Sequence, residues 1–489
     1  MPLPIITVEQ MRQWERVTWA SGQTEEAVMR LAGRAVAREA RRMTMPGDFV
    51  LVLAGKGHNG DDARFAAESD GLLGRGVQVI HVVDPEAAIP EFTSFLDRRP
   101  ALIIDGLFGI GLNRSLSPSW IKLIREINDS GAPILAVDVP SGLSAETGEP
   151  LGDAIRAACT VTFGALKQGL ILTSACPFVG RLKVAADIGL VPCPFKAEIN
   201  LTVAEDFLHF PPARVLSGHK GSFGHVALLA GSLGYHGAAV LAARGAQRAQ
   251  PGLITLLTAD NVYHPAAAQL QSVMVSPWSA ALEVPERPEG RPKTNPRLRL
   301  PDSCTAIAIG PGLASRDLPD YIKEMARRFW QESPLAVVAD ASALEWLPSG
   351  PCRENALRVM TPHPGEAARL LQTSTAEIQK DRFQAARKLS RQWGNCFVVL
   401  KGHQSIIACG DGSLFVNNTG NPFLAQGGSG DLLTGYLGGL LAQPPLQAEP
   451  CNTIRYAVWQ HGAAADSLLP ARRNWTVEDL AEVIGSVSG

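Results

Sequence analysis

Phe49-Val50-Leu51-Val52-Leu53-Ala54-Gly55-Lys56-Gly57-His58-Asn59-Gly60-Asp61-Asp62 decides how the N-terminal half folds. A wholly apolar run closed by glycine reads as a strand buried on both faces, and residues 62–73 beyond it carry helical spacing. Strand, glycine loop and helix in that order open a βαβ unit, and Gly55 to Gly60 fits G-x-G-x-x-G. Asp84 closes the next strand, where a ribose-binding acid is sought, so a dinucleotide-dependent dehydrogenase is the first reading. Asp61 and Asp62 argue against it, because two carboxylates at the helix N-terminus repel a pyrophosphate. Oxygen ligands at strand ends point instead to a bound cation or to acid–base chemistry.

The same alternation extends outward. Residues 7–43 have helical spacing, and Val77–Val83, Ala101–Ile104, Ile134–Val137 and Val161–Phe163 are further buried strands, with a helix at 119–129. The alternation stops near Ile188, and Val191–Pro212, with four prolines, reads as a domain boundary. It resumes with His225–Ala230, Leu253–Thr258, Ala306–Ile309, Ala336–Ala339, Phe397–Leu400 and Ser405–Ala408. Residues 284–301, with five prolines, read as a surface excursion. The expectation is an α/β chain of two doubly wound, three-layer domains, 1–212 and 213–489.

With 489 residues the chain needs more than one core, and a formal net charge of −2 gives no basic field for nucleic acid or an anionic membrane. The eight cysteines are scattered without a Cys-x-x-Cys, which speaks against a zinc site or a disulfide framework and for a reducing cytoplasm. No signal peptide and no membrane-spanning apolar run is read.

Polar residues gather where strands end. In the N-terminal half these are Asp105, opening Asp105-Gly106-Leu107-Phe108-Gly109-Ile110-Gly111-Leu112-Asn113-Arg114, and Asp138 and Ser141 in Val137-Asp138-Val139-Pro140-Ser141-Gly142. Each aspartate alone reads as a cap or turn residue; several at strand ends with glycine partners read as a site. In the C-terminal half, Thr419-Gly420-Asn421-Pro422-Phe423-Leu424-Ala425-Gln426-Gly427-Gly428-Ser429-Gly430-Asp431 leads into an apolar helix. Its glycines let consecutive amides surround an anion, and the helix dipole adds to that attraction. Asp431 at the rim reads as a general base over a hydroxyl, or as a helix N-cap, and the loop alone leaves both open. Lys401-Gly402 ends a strand and makes the other side of a nucleotide clamp, while His363 sits in a rigid Pro-His-Pro turn and by itself reads as a turn histidine.

Taken together, the N-terminal motifs resemble the NAD(P)H-hydrate epimerase family along most of residues 7–190. Its N-N-G-G-D corresponds to His58-Asn59-Gly60-Asp61-Asp62, its D-x-x-F-G-x-G to Asp105 through Gly111, and its V-D-x-P-S-G to Val137 through Gly142. The resemblance implies a Rossmann-like domain and a potassium ion (K+) held by Asn59, Asp105 and Ser141. It implies substrate contacts from His58, Asn59, Gly60, Asp61 and Asp62, from Gly109, Ile110, Gly111, Leu112, Asn113, Arg114 and Ser115, and from Asp138. Interconverting R and S hydrates needs proton transfers about C6 of the nicotinamide ring, so Asp138 is the acid/base candidate. His58 stands for an asparagine, Ser144 for an acid, and Asp61 for a glycine, adding a charge where the substrate's phosphates pass.

The C-terminal motifs His219-Lys220-Gly221-Ser222-Phe223-Gly224, Gly310-Pro311-Gly312-Leu313, Thr361-Pro362-His363-Pro364-Gly365-Glu366, Leu400-Lys401-Gly402 and the glycine loop resemble the ribokinase-like NAD(P)H-hydrate dehydratases over 214–486. This implies dinucleotide-hydrate contacts from Ala238, Gly312, His363 and Asp431. It implies ADP or ATP, with Mg2+, on Lys401, Gly402, His403, Gln404, Ser405 and Gly430. Asp431 then takes the C6 hydroxyl proton as that oxygen attacks the terminal phosphate, and expulsion of phosphate restores the double bond. Ser342 stands where a second aspartate is usual. The resemblance implies a homo-oligomer acting on NADHX or NADPHX. The alternatives are a small-molecule kinase of the ribokinase superfamily and a non-catalytic N-terminal binding module.

Overall fold

The computed structural model describes residues 3–283, 297–470 and 472–488, and these divide into two compact units, Leu3–Asn200 and the described residues from Leu201 onward. The division lies within the proline-bearing stretch 191–212. Residues beyond it belong with the second unit, where Phe207 packs edge-on against Tyr456 at 5.3 Å and Asp206 pairs with Arg455.

In the first unit a six-stranded sheet runs Gly76–His81, Phe49–Ala54, Leu102–Gly106, Ile134–Val137, Cys159–Phe163, Arg181–Ala185. Every pairing is parallel. Alternate residues of Phe49–Ala54 face opposite layers: Val50 and Val52 pack with Val28, Ala32, Val36 and Ala63, while Leu51 and Leu53 pack with Phe92, Ile124 and Ile127. The chain order reverses between Phe49–Ala54 and Leu102–Gly106, so the loops that leave these two strands diverge and open a crevice at the strands' C-terminal ends. The helical stretch expected over 7–43 is two helices, Val8–Ala20 and Glu25–Met43, separated at Ser21-Gly22 where Gly22 has φ +94°. Leu3–Ile6 pairs in parallel with Leu166–Lys167, and Ile6, Met11, Trp14 and Ala165 form a small apolar cluster that seats the first helix.

In the second unit the strand order is Met274–Pro277, Leu253–Thr258, His225–Leu229, Ala306–Ile309, Ala336–Ala339, Arg358–Met360, Phe397–Leu400, Ser405–Ala408, Leu414–Asn417. The pairings are parallel as far as Phe397–Leu400. Ser405–Ala408 then turns back antiparallel, as does Leu414–Asn417 after it, because the short connections leave no room for a crossover. Met274–Pro277 and Leu414–Asn417 escape the sequence reading: each is a short run closed by a proline or a polar residue.

The helix Ser429–Leu441 is buried along nearly its whole length. It crosses His236–Ala249 at glycine contacts: a Cβ on Gly435 would lie 1.7 Å from the Ala242 carbonyl oxygen, and one on Gly245 would lie 2.1 Å from that of Leu432. Of the excursion 284–301, residues 284–296 lie outside the described residues. Arg297–Leu298 pairs antiparallel with Leu282–Glu283, and Leu298 is buried.

Candidate functional sites

The crevice of the first unit holds a cavity of about 550 Å3. Its lining includes His58, Asn59, Asp62, the run Gly109, Ile110, Gly111, Leu112, Asn113 and Arg114, and Asp138, so the structure gathers residues from three separated motifs. Gly60 packs beneath the loop instead; a Cβ there would sit 2.0 Å from the Gly55 carbonyl oxygen. Ser115 is not among the lining residues. Asp61 is turned onto Arg64 one helical turn away, so the extra carboxylate is neutralised within its own helix, His58–Ala67. His58 is exposed, with its Nε2 3.8 Å from Glu25.

Asp138 follows Ile134–Val137 with φ +60°, a left-handed conformation that aspartate tolerates better than most residues and that clusters at functional sites. Its Oδ1 accepts from Thr162 Oγ1 at 3.0 Å, from the Phe163 amide at 3.2 Å and from Lys167 Nζ at 2.6 Å. Lys167 is fully buried and also donates to Thr162 Oγ1 at 3.0 Å and to the Phe163 carbonyl at 2.9 Å. A buried ion pair this well bonded is costly to break from either side.

Behind the cavity Asp105 is wholly buried. Its Oδ1 accepts from Ser141 Oγ at 2.6 Å and its Oδ2 from the Ser141 amide at 2.8 Å. Burial pushes its carboxyl up to about 6, ahead of the bonds from Ser141 and Leu107 that draw it down. Asn59 donates through Nδ2 to the Phe108 carbonyl at 2.9 Å, and the Phe108 amide donates to Ser141 Oγ at 2.8 Å. Asn59, Asp105 and Ser141 are thus one cluster joined through Phe108.

The sequence reading missed Lys167, Glu15, Arg12 and Trp19, which line the same cavity. Lys167 carries a legible signal, a lone charge in Thr162-Phe163-Gly164-Ala165-Leu166-Lys167 directly after a buried strand. Glu15 carries none, since one acid on an amphipathic helix is ordinarily solvated.

In the second unit the strand-end residues Asp340 and Lys401 meet the first turns of Ser429–Leu441. Lys401 Nζ lies 2.7 Å from Asp340 Oδ1, and Thr434 Oγ1 donates to Asp340 Oδ2 at 2.7 Å. Burial opposes the charge on Asp340, but the Lys401 ammonium and the hydrogen bonds outweigh it and hold the carboxyl below its ordinary range. Burial likewise opposes the charge on Lys401, and the carboxylates of Asp340, Glu366 and Asp431 raise its pKa above the usual lysine value. A Cβ on Gly430 would lie 3.4 Å from Lys401 Nζ, so Gly430 keeps the ammonium close to the loop.

Gly428, with φ +98°, occupies the N-cap of Ser429–Leu441, and no side chain caps that helix. Asp431 is therefore in the first turn and not at the cap. Burial, then the negative charges of Asp340 and Glu366, push its carboxyl up to about 6 against the pull of Lys401. Gln404 has φ +52° and is buried, while Gly402, His403 and Ser405 complete a loop whose carbonyls at Lys401 and His403 accept from Arg382. His363 uses Nδ1 to accept from the Gly365 amide at 3.0 Å and caps Pro364–Leu370, leaving an exposed ring edge. By accepting from that amide it serves as a helix cap as well as a turn histidine. Gly312, with φ +66°, lies against Ala238; a Cβ on Gly312 would be 2.9 Å from that of Ala238.

Arg382, Thr434 and the buried His461 carry no local signal, and Asp340 is marked only by its place directly after Ala336–Ala339. His461 Nε2 lies 3.1 Å from the Ser429 carbonyl, and burial lowers its pKa to about 4, which keeps the ring neutral beneath the anion loop. Among the described residues no group of three or more His, Cys, Asp or Glu is disposed to hold a metal, all eight cysteines are free, and no helix is long and apolar enough to cross a membrane.

Comparison with known proteins matches residues 226–485 to the NAD(P)H-hydrate dehydratase family and residues 80–169 to the YjeF-related protein N-terminus family. The bifunctional NAD(P)H-hydrate repair enzyme of Gloeobacter violaceus is 34% identical over 95% of this chain and 93% of its own length. The enzyme of the same description from Escherichia coli is 32% identical over 91% of this chain and 86% of its own. A solved ADP/ATP-dependent NAD(P)H-hydrate dehydratase from Bacillus subtilis, co-crystallized with ATP/Mg2+, is 29% identical over 58% of this chain and 95% of that chain, with a TM-score of 0.48.

Proposed function

The chain belongs to the bifunctional NAD(P)H-hydrate repair enzymes, and on that premise we propose how its residues divide the work. The second unit dehydrates the S-hydrate at the expense of ADP or ATP, and the first interconverts the R- and S-hydrates. The observation that carries the reading is the meeting of Lys401, Gly430 and Asp431 on the first turn of Ser429–Leu441. The loop amides and the Lys401 ammonium bind the transferring phosphate, while Asp431, held near pH 6, accepts the C6 hydroxyl proton. Gly402, His403, Gln404 and Ser405 wrap the nucleotide, and Ala238, Gly312 and His363 hold the hydrated ring and its ribose phosphates. Magnesium would neutralise charge on the nucleotide phosphates, which supply most of its ligands in such sites.

In the first unit Asp138 is the acid/base group, positioned by Lys167, and the loop 109–114 with His58, Asn59 and Asp62 receives the rest of the substrate. Asn59, Asp105 and Ser141 fit potassium: all three offer hard oxygens, and Asp105 is a wholly buried carboxylate whose bonds come only from neutral groups. Bound there, the ion would supply a fixed positive charge that favours the substrate's phosphates. We include a homo-oligomer in this reading, to be measured by light scattering.

The test is incubation with S-NADHX and ADP, which restores the absorbance of the reduced nicotinamide, and with R-NADHX, which is converted to the S form faster in potassium than in tetramethylammonium. Failure with ADP and ATP alike, together with phosphorylation of a simple alcohol, would return the kinase reading. Persistence of R-hydrate at its spontaneous rate would make the first unit a binding module.

A further inference from the structure

The cavity of the first unit holds a second carboxyl that the roles above leave without chemical work. Asp62 lies one turn after Asn59 on His58–Ala67, is 8% exposed, and lines the same cavity as Asp138. Its Oδ1 is buried and has no hydrogen-bond partner among the described residues. A buried polar atom left unpaired in a folded protein is expensive, and a cavity that receives a ligand is where such an atom finds its partner. The bonds to Asp138 all fall on Oδ1, so its Oδ2 stays available as an acceptor toward the cavity.

We propose that Asp62 is a catalytic residue of the N-terminal site: it is the carboxylic acid that delivers a proton to the leaving C6 hydroxyl, working with Asp138 as the base that activates water. The proposal rests on the epimerase reading of this unit. Asp62 gives its proton to the C6 oxygen; the C6–O bond breaks and its electron pair leaves with the water formed. The N1 lone pair closes the C6=N1 bond, giving an iminium. Water then adds to C6 from the other face, the π pair returns to N1, and the surplus proton of that water goes to Asp138 Oδ2. Nothing is oxidised or reduced. The site finishes with Asp62 as carboxylate and Asp138 as acid, the state that runs the reaction backward, and exchange with solvent resets it.

The surroundings distinguish the two acids. Asp138 has the Lys167 ammonium on it at 2.6 Å. Among the described residues Asp62 has no ion-pair partner; burial first, then the charges of Asp138 and Glu15, raise its pKa well above the ordinary value, with Lys167 only partly offsetting them. Acid and base roles require two carboxyls in unlike surroundings, and here Asp138 has a buried ammonium bonded to it while Asp62 does not. Glu15, on Val8–Ala20, also lines the cavity and is also raised by burial and by Asp138, but it is more exposed and so suits proton exchange with solvent. His58, Glu25, Arg12, Lys56 and Arg114 complete the charged lining.

The experiment follows the full chain with R-NADHX in potassium, with R and S forms separated by chromatography, in ordinary water and in water enriched in oxygen-18. Asp62→Asn is expected to lower kcat by about 10²- to 10⁴-fold with KM within about threefold. Asp62→Glu is expected to recover part of the loss, and wild-type product is expected to carry oxygen-18 at C6. Far-UV dichroism and ligand-shifted melting report whether the Asp62→Asn unit is folded. A kcat for Asp62→Asn within about threefold of wild type, or product that keeps its original oxygen, overturns the proposal while the epimerase reading stands. A greater loss in Glu15→Gln than in Asp62→Asn also overturns it. A wild-type chain that leaves R-hydrate at its spontaneous rate removes both.

Discussion

Replacing Asp431 by asparagine should make the protein more stable and nearly inactive, with the stability gain depending on pH. The carboxyl is pushed from its ordinary 3.8 to about 6, first by burial and then by Asp340 and Glu366. At roughly 1.4 kcal/mol per pH unit, that difference is worth about 3 kcal/mol. Asp431 keeps partial solvent contact, so the working range is about 1.5 to 3 kcal/mol. Below pH 3.8 the carboxyl is protonated in both folded and unfolded chains and contributes nothing. Between 3.8 and about 6 the unfolded chain releases the proton and the folded chain keeps it, so stability falls as pH rises. Above about 6 the folded chain carries the whole penalty. Asp431→Asn removes it, so the gain should be near zero at pH 4 and reach about 1.5 to 3 kcal/mol at pH 8. Urea unfolding at the two pH values measures this, with the relevant transition identified as the one ADP shifts. In the same variant, ADP binding should persist while turnover of S-NADHX falls by about 10²- to 10⁴-fold. A variant that is less stable at pH 8, or that keeps near-normal turnover, refutes the reasoning and returns Asp431 to a structural role at the helix start.

Three further outcomes are expected. Lys401→Met leaves Asp340 buried without its counter-charge, so it should destabilise the C-terminal unit by about 3 to 5 kcal/mol and abolish ADP-induced stabilisation in a melting assay. Arg64→Ala uncovers the Asp61 charge and should raise KM for R-NADHX about fivefold, and adding Asp61→Gly should restore it; the double variant identifies the charge as the cause. Gly435→Ala places a methyl 1.7 Å from the Ala242 carbonyl oxygen, so it should separate the two crossing helices and cost at least about 1 to 3 kcal/mol, read by urea denaturation.

Much of the fold is legible because buried parallel strands are short apolar runs, and Phe49–Ala54, Leu253–Thr258 and Ala336–Ala339 are each closed by glycine or a polar residue. Arg358–Met360 defeats that rule. Its arginine is buried yet satisfied by the carbonyls of Trp330, Ser333 and Leu335, partners that no local pattern announces. Asp138, Asn59 and Asp431 are readable because they follow strands or glycine loops, where α/β folds gather ligands. Glu15 and Arg382 are not readable in the same way, since their meaning lies in what they face, and Lys167, though marked as a lone charge after a strand, takes its role from facing Asp138.

What the chain carries along its length is therefore the alternation of strands and helices, the glycines that let backbones approach, and the identity of the reacting groups. Those are local properties, set by side-chain period and by backbone freedom. Tertiary structure alone decides the protonation states. Asp138 acquires a buried ammonium from Lys167, 29 positions away. Asp62 is driven up by burial and by Asp138 and Glu15, both distant along the chain, and is only partly drawn back by Lys167. Asp340 is drawn below its ordinary range by Lys401, and Asp431, near the same cluster, is driven up to about 6. A carboxyl's charge depends on its dielectric surroundings and on the nearest opposite charge, and both come from residues far away along the chain.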